Sequence, residues 1–272
     1  MKQQRINRLI LSLFLIGFLI FTYPFYSQSF NKLVENYQIK QYQTTVSKET
    51  LSNWKEKNKA YQTEGIKIQS DPFDDSDVAH STPEYRKKHY IGLLTIPNLG
   101  IEVSLFDTTN SQLLQMGATV LDGTSMPVGG KGNHSVISAH NGIPQRKLFT
   151  GLEEIKKGDQ FLIMINNQSL AYQVTKLTIV EPTDTSVLKS DPDKDLVTLV
   201  TCTPYTINTH RLLVTGERVP FEEKLLQQKN ALSKTLFYQN IAVLVGILLV
   251  VIVVLGLLIK NFRQSKPEDV AK

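Results

Sequence analysis

The chain has 272 residues and a formal net charge of +5. Seven of its basic and two of its acidic residues lie near the two ends, and the remainder of the chain holds 23 of each. The positive charge therefore belongs to the ends and does not indicate a nucleic-acid-binding protein. An intrachain disulfide is excluded, because Cys202 is the one cysteine in the sequence.

Two apolar runs lie near the ends, at residues 9–26 and 241–259. A bilayer core about 30 Å thick needs roughly 20 helical residues, so both runs are long enough to span it. The first could be a cleaved signal peptide, but its length and the lack of a clear cleavage signal favour an uncleaved anchor over residues 1–28. Basic residues flank the outer end of each run, which predicts that both termini are cytoplasmic. On this prediction residues 221–240 are a juxtamembrane linker and 260–272 a cytoplasmic tail.

The segment between the first apolar run and the main domain divides into two parts. Residues 29–68 predict a polar helical stalk whose thin apolar stripe either packs on the main domain or spaces it from the membrane. Residues 69–88 contain two prolines, several acids and no periodicity, which predicts a loop or mobile segment. By itself, Asp71-Pro72-Phe73 in this segment is most simply an Asx-Pro turn.

From residue 89 to 220 the pattern is that of a β-domain. Alternating and β-branched runs predict strands at 90–96, 101–106, 135–139, 161–165, 170–174, 177–180, 196–201 and 212–219. Short helices are predicted at 110–116 and 148–155, with a helical turn at 185–188. About eight short strands with few helices indicate a mainly β fold, a closed or nearly closed barrel.

The candidate chemistry starts from Cys202 and Arg211. Cys202 ends one predicted strand and Arg211 begins the next, with turn-forming residues at 204–208 between them. Adjacent strands joined by this loop would bring the two side chains together, and a neighbouring cation biases a thiol towards thiolate. An inert, buried cysteine is the alternative.

A cysteine nucleophile needs a proton carrier, and histidine is the usual one. His140 is the best candidate because it ends a strand in front of the tight turn at Asn141-Gly142. His210 adjoins Arg211, and strand alternation points the two to opposite faces. The remaining histidines lie in or beside the mobile segment or before a strand: His80, His89 and His134. A surface or packing role for His140 is the alternative.

The sequence contains no motif for nucleotide binding or for metal binding. Residues 129–132, Gly-Gly-Lys-Gly, lack the spacing and the Ser/Thr of a nucleotide-binding loop, and no His/Cys cluster has metal-ligand spacing. We therefore expect neither a metal nor a cofactor.

Three segments together resemble the signature of sortases: HSVISAHNGIP with His140, TLVTCTPY with Cys202, and THRLLVTGERV with Arg211. The two apolar runs and Asp71-Pro72-Phe73 upstream of the barrel resemble the class C, pilin-polymerising branch. The resemblance covers roughly residues 70–220 and the C-terminal anchor. One departure is visible, since many sortases have His-Arg-Gly where this chain has His140-Asn141-Gly142.

The resemblance implies a membrane-anchored transpeptidase on the surface of a Gram-positive bacterium. Its partners would be pilin subunits with a signal resembling Leu-Pro-x-Thr-Gly, cut between Thr and Gly. Cys202 would form a thioester with the threonine, and a lysine amine of another pilin would resolve it. His140 would transfer protons, and Arg211 would stabilise the developing oxyanion.

The resemblance also implies that Asp71-Pro72-Phe73 is a lid. Asp71 would pair with Arg211, Phe73 would cover the Cys202 sulfur, and Pro72 would restrict the backbone between them. Three alternatives stay open. One is a sortase that uses a wall-precursor amine. Another is a papain-like protease, although its cysteine signature is absent and the histidine here precedes the cysteine. The last is a non-catalytic membrane scaffold.

Overall fold

The computed structural model of the chain describes residues 2–41, 46–64, 66, 68, 71–73, 82–166 and 168–263. The chain forms two units. One comprises the described residues of Met1–Glu35 and Thr235–Lys272, and the other comprises those of Asn36–Lys234. The second unit contains all the residues to which the sequence assigns chemistry.

The second unit is built on a β-barrel. Its strands are β1 Tyr90–Ile96, β2 Ile101–Phe106, β3 Ala118–Val120, β4 His134–Ser138, β5 Gln160–Ile165, β6 Gln168–Val180, β7 Leu196–Thr203 and β8 His210–Val219. They close in the order β1-β2-β3-β4-β7-β8-β6-β5. The pairs β2/β3 and β4/β7 are parallel, and the other neighbouring pairs are antiparallel. The mainly β, closed-barrel fold expected from the sequence is confirmed.

Two strand predictions differ from the structure. Residues 170–174 and 177–180 belong to one strand, β6, because the pairing register shifts between Val174 and Lys176 without ending the ladder. A bulge of this kind adds a residue to one strand while pairing continues on both sides. Strand β3 was not predicted, since three residues are too few to show alternation.

One of the two predicted short helices is present, and the other is mostly absent. Helix α4, Ser111–Met116, begins after Asn110, whose side chain accepts the N–H of Leu113 at 2.8 Å, and it ends before Gly117. The helix predicted at 148–155 is wrong except for a 3-10 turn at Leu152–Glu154. Leu148 and Gly151 have φ of 43° and 88°, which an α-helix cannot contain.

Helix α3, Pro83–His89, corrects the prediction that all of 69–88 is a loop. Thr82 caps it by accepting the N–H of Tyr85 at 3.1 Å, and Pro83 occupies the first turn. A threonine cap followed by proline is a helix-start signal that the lack of periodicity concealed. Of the preceding part, the structure describes residues 71–73, and residues 69–70 and 74–81 lie outside the described residues.

Most of the described residues of the predicted stalk, 29–68, are helical. Helix α1, Lys2–Gln41, extends from the first apolar run, and α2, Lys48–Glu64, follows. Of the two roles left open for the stalk, α2 has the packing one, because Trp54 is buried in the main core of the barrel. Asn58 of α2 is 2% exposed; its amide donates to the carbonyl of Met126 at 2.9 Å and accepts the N–H of Met126 at 2.8 Å. The packed unit that contains the barrel therefore includes residues upstream of residue 89.

We expect Asn58→Ala to lower the free energy of unfolding by about 1–3 kcal/mol, because it leaves the buried N–H of Met126 without its partner, while the Met126 carbonyl keeps its bond from the N–H of Val128. Denaturant unfolding of the detergent-solubilised chain measures this change. Asn53→Ala is the matched control, since Asn53 lies on the exposed side of the same helix. Equal destabilisation by the two substitutions would contradict the prediction.

The region predicted as a juxtamembrane linker, 221–240, is largely helical, because α5 extends from Glu223 to Arg263. Its first turns pack on the barrel. Leu225 is buried against Leu162 and Ala171, and Ser233 donates a hydrogen bond to Glu102.

The first unit contains the apolar parts of α1 and α5. The segments Arg5–Ile39 and Glu223–Phe262 are long and apolar enough to cross a bilayer, judged by length and composition. At one end of the unit, the Arg8 guanidinium donates to the carbonyl of Asn261 at 3.0 Å and lies 4.2 Å from the centre of the Phe262 ring. The start of α1 and the end of α5 are therefore neighbours.

Candidate active site

The hairpin of β7 and β8 brings Cys202 and Arg211 together. The two residues are directly paired in the antiparallel register. The connecting loop turns through Thr206 and Asn208, which have φ of 66° and 60°. Cys202 is 6% exposed and Arg211 8%, so both lie under other parts of the unit.

His140 reaches the same end of the barrel on a different strand. It follows β4, which runs parallel to β7, with Ser138 paired to Val200. The next residue, Ala139, donates its N–H to the carbonyl of Val200 at 3.1 Å. Because parallel strands keep a constant offset, His140 comes level with Cys202.

The turn after His140 is also joined to Cys202. The Asn141 side-chain amide donates to the carbonyl of Cys202 at 3.0 Å. The carbonyl of His140 accepts the N–H of Phe149 at 3.1 Å. The backbone on each side of the histidine is thus fixed relative to neighbouring segments.

The Asp71 carboxylate pairs with one edge of the Arg211 guanidinium, at Nε and Nη2. One carboxylate oxygen accepts from Nε at 3.1 Å, and the other accepts from Nη2. Nη1 donates to the carbonyls of Asn208 and His210 at 3.0 and 2.9 Å. The pairing of Asp71 with Arg211 expected from the sequence is present, and all three nitrogens of the guanidinium are in use.

Phe73 contacts both polar groups that flank Cys202. Its ring centre lies 5.4 Å from that of His140 and 5.1 Å from Cζ of Arg211. Pro72, between Asp71 and Phe73, lines an adjoining cleft. These three residues therefore lie across the candidate site.

The other described histidines are engaged elsewhere. His210 faces Glu181, with Nε2 3.3 Å from the carboxylate, as strand alternation predicts. His89 bonds to Asp107 at 2.7 Å. His134 contacts the Lys189 carbonyl and the Thr198 hydroxyl, and burial lowers its pKa. His80 lies outside the described residues.

The pKa of the Cys202 thiol depends on burial more than on its charged neighbours. Burial raises the pKa of its thiol to about 11; Arg211 lowers it in part, and Asp71 raises it again. Arg211 lowers the thiol pKa in the expected direction, but the effect of burial is larger, so the thiol stays protonated in this arrangement. Arg211 is already neutralised by Asp71, so its field cannot offset the cost of burying a thiolate.

A cleft of about 190 Å³ adjoins Arg211. Most of its lining is apolar. The apolar side chains are those of Leu121, Val180, Pro182, Leu188, Val200 and Leu213, and Glu181 of the β6–β7 connection adds a carboxylate. Asp71 and Pro72 line the same space. A mostly apolar lining with a few polar groups is typical of ligand-binding clefts.

Residues 94–219 match the sortase domain family. Sortase A of Bacillus anthracis is 30% identical to this chain over 226 residues, which cover 82% of this chain and 100% of that protein. The chain belongs to the sortase family. It is a cysteine transpeptidase, and the papain-like and non-catalytic alternatives are removed.

Solved structures similar to this sortase include members of class C. Sortase C1 of Streptococcus agalactiae is 35% identical, with a TM-score of 0.58, and the match covers 71% of this chain and 98% of that one. The pilus-related Sortase C of Group B Streptococcus is 36% identical, with a TM-score of 0.56, and the match covers 64% and 92%. The class C resemblance inferred from the motifs is confirmed.

Sequence reasoning missed some of the groups that shape the site of this sortase. Asn141 was noted as part of a tight turn and as a departure from a motif, and nothing in its local sequence signals a bond to Cys202. Thr201 donates its hydroxyl to the carbonyl of Ala139 at 2.7 Å. Both contacts cross between β7 and the end of β4, and a contact between distant segments leaves no local pattern.

Proposed function

We propose that this sortase polymerises pilin subunits, with Cys202 as nucleophile, His140 as proton carrier and Arg211 as oxyanion donor. The observation that carries the proposal is the meeting of these three positions at one end of the barrel, where a mostly apolar cleft adjoins Arg211. The similarity to a pilus-related class C sortase supports pilin as the substrate.

The acylation step begins with the sulfur of Cys202. His140 takes the proton of the thiol as the sulfur attacks the carbonyl carbon of the threonine in a sorting signal resembling Leu-Pro-x-Thr-Gly, and Arg211 stabilises the negative charge on the carbonyl oxygen. The bond to the glycine nitrogen then breaks, and His140 donates the proton that the leaving amine needs. The products are a thioester on Cys202 and a free peptide with an amino-terminal glycine.

The second step transfers the acyl group to a lysine of another pilin. Its uncharged amine attacks the thioester carbonyl, and the Cys202 sulfur leaves. His140 accepts the proton released from nitrogen and passes it to the departing sulfur. An isopeptide bond forms, and the enzyme returns to its starting state. No metal or cofactor enters either step.

Asp71, Pro72 and Phe73 act as a lid in this proposal. Asp71 occupies the guanidinium nitrogens that an oxyanion would use, and Phe73 lies against His140. Substrate binding must displace these contacts before Arg211 can take part. The enzyme without substrate is thereby kept from hydrolysing other peptides.

The proposed location is the cell membrane, with the barrel outside and both termini in the cytoplasm. The contact of Arg8 with Asn261 and Phe262 supports termini on one side. Basic residues at the same ends support a cytoplasmic side by the positive-inside rule.

Incubation of the detergent-solubilised enzyme with a pilin subunit tests the function. We expect a ladder of covalent products that survives denaturation and reduction, and no ladder with Cys202→Ala. Transfer to a wall-precursor amine, with no pilin ladder, would replace the proposal with the wall-anchoring alternative.

A further inference from the structure

Asn141 carries an unusual combination of burial and bonding beside the nucleophile. It is 7% exposed, and its Nδ2 donates to the carbonyl of Cys202 at 3.0 Å. The amide orientation is fixed by chemistry, because a carbonyl accepts hydrogen bonds and only the nitrogen side of the amide can donate. Among the described residues, Oδ1 of Asn141 has no hydrogen-bond partner although it is buried.

The amide oxygen of Asn141 lowers the stability of the fold. A buried amide oxygen without a partner has lost its hydration and gained nothing in return, so a leucine of similar shape would avoid that loss. The asparagine is thus a poor choice for packing alone. The group that benefits is the backbone of Cys202, 61 positions along the chain.

The turn that holds Asn141 is itself fixed. The N–H of Gly142 donates to the Thr150 hydroxyl at 3.0 Å. Gly142 has a φ of 93°, and a Cβ added there would approach the Tyr205 ring to 2.7 Å. Asn141 is therefore attached to a rigid turn at its backbone and to Cys202 at its side chain.

We propose that Asn141 is a positioning residue for transpeptidation, which sets the spacing between His140 and Cys202. The proposal rests on the catalytic roles given above to those two residues. His140 and Asn141 are consecutive, so the bond from Asn141 to the Cys202 carbonyl limits the drift of the histidine-bearing turn away from β7. Proton transfer requires the carrier within hydrogen-bond reach of the reacting atoms, and small displacements slow it strongly.

Steady-state cleavage of a sorting-signal peptide by the full-length enzyme tests the proposal. Asn141→Leu preserves the shape and removes the donor, and we expect kcat to fall about fivefold with KM changed less than about twofold. Asn141→Gln keeps the amide but places it on a side chain that is one methylene longer. We expect its kcat to lie between those of the leucine variant and the wild type. Asn98→Leu is the matched control and should leave kcat unchanged, because it removes a surface amide bond to Asp159, 2.8 Å long, from the β1–β2 turn.

The outcomes separate this inference from the proposed function. If Cys202→Ala still cleaves the peptide, the proposed function fails whatever Asn141 does. If Cys202→Ala is inactive and Asn141→Leu keeps the wild-type kcat, the positioning role alone is overturned. A loss that appears in KM, a lower melting temperature that accounts for the lost activity, or a glutamine variant no better than leucine would also overturn it.

Discussion

Arg211→Lys is expected to lower kcat for sorting-signal cleavage by about 100-fold, within the range found when one oxyanion donor is removed. The positive charge survives this substitution, so the loss must come from geometry. In the structure Nη1 is bonded to the carbonyls of Asn208 and His210, while Nε and Nη2 face Asp71. When Asp71 leaves, two aligned donors remain for the oxyanion and the third nitrogen keeps the plane fixed.

A lysine cannot bond the two backbone carbonyls and the oxyanion at the same time, as the three nitrogens of the guanidinium can. Its single ammonium either bonds the two carbonyls or reaches the oxyanion, because its donors radiate from one atom on a flexible stem. The guanidinium acts in a plane that is set before the substrate arrives. Most of the expected effect should therefore appear in kcat, since the oxyanion exists only after Cys202 has attacked.

Arg218→Lys provides the matched control for this measurement. Arg218 lies near the opposite end of the same strand, with its guanidinium 5.5 Å from the centre of the Tyr172 ring. Steady-state kinetics on a sorting-signal peptide should leave this variant within about twofold of the wild type, since its charge is retained far from the reacting atoms. A wild-type kcat in Arg211→Lys would show that a positive charge is sufficient and would contradict the requirement for the aligned donors of the guanidinium.

The part of the site that could be predicted is the part made by neighbouring residues in the chain. Cys202 and Arg211 lie on consecutive strands, and the β-rich runs with turn formers between them determine a hairpin. The cap at Asn110 and the positions of most strands follow from equally local signals. Pairing across a short loop needs no knowledge of the rest of the fold.

The parts that could not be predicted depend on distant segments. The parallel pairing of β4 with β7 decides where His140 lies, and parallel strands are joined by long connections with no turn signal. The same holds for Asn58 against Met126 and for Asn141 against Cys202. The net shift of the thiol pKa could not be predicted for a related reason: its value depends on burial and on Asp71, which approaches from 131 positions upstream of Cys202.

Asp71→Ala combined with Phe73→Ala is expected to raise the rate of Cys202 alkylation at pH 7 by about tenfold. Burial, the largest cause, holds the thiol pKa near 11 against an ordinary value of 9.0, and Asp71 adds to the shift by opposing Arg211. Removing Phe73 opens the site to water, and removing Asp71 releases the field of Arg211. Both changes favour the thiolate.

The size of the effect follows from two opposing factors. A pKa that falls from about 11 to about 9 raises the thiolate fraction at pH 7 about 100-fold. A less basic thiolate is also a weaker nucleophile, by about 0.4–0.5 log units for each pKa unit, which removes about tenfold of that gain. The remainder is about tenfold, before any gain from easier access of the reagent.

The pH dependence of the alkylation rate is a second, independent measure of the change in the thiol pKa. A raised pKa keeps the thiol protonated up to high pH, so alkylation of the wild type should still be increasing as the pH approaches 11. In the double variant the curve should level off at a lower pH. Because Cys202 is the one cysteine in the chain, the labelled fraction reports this site alone.

Asp184→Ala is the matched control for the lost carboxylate. Asp184 lines the same cleft, but its carboxylate bonds to Ser186. We expect its alkylation rate and pH curve to equal those of the wild type, since an exposed carboxylate bonded to a neighbouring serine gives the thiol little field. If the double variant were alkylated no faster than the wild type, with its melting temperature unchanged, Asp71 and Phe73 would not restrict access to the nucleophile, and their contacts with Arg211 and His140 would be packing without control of the reaction.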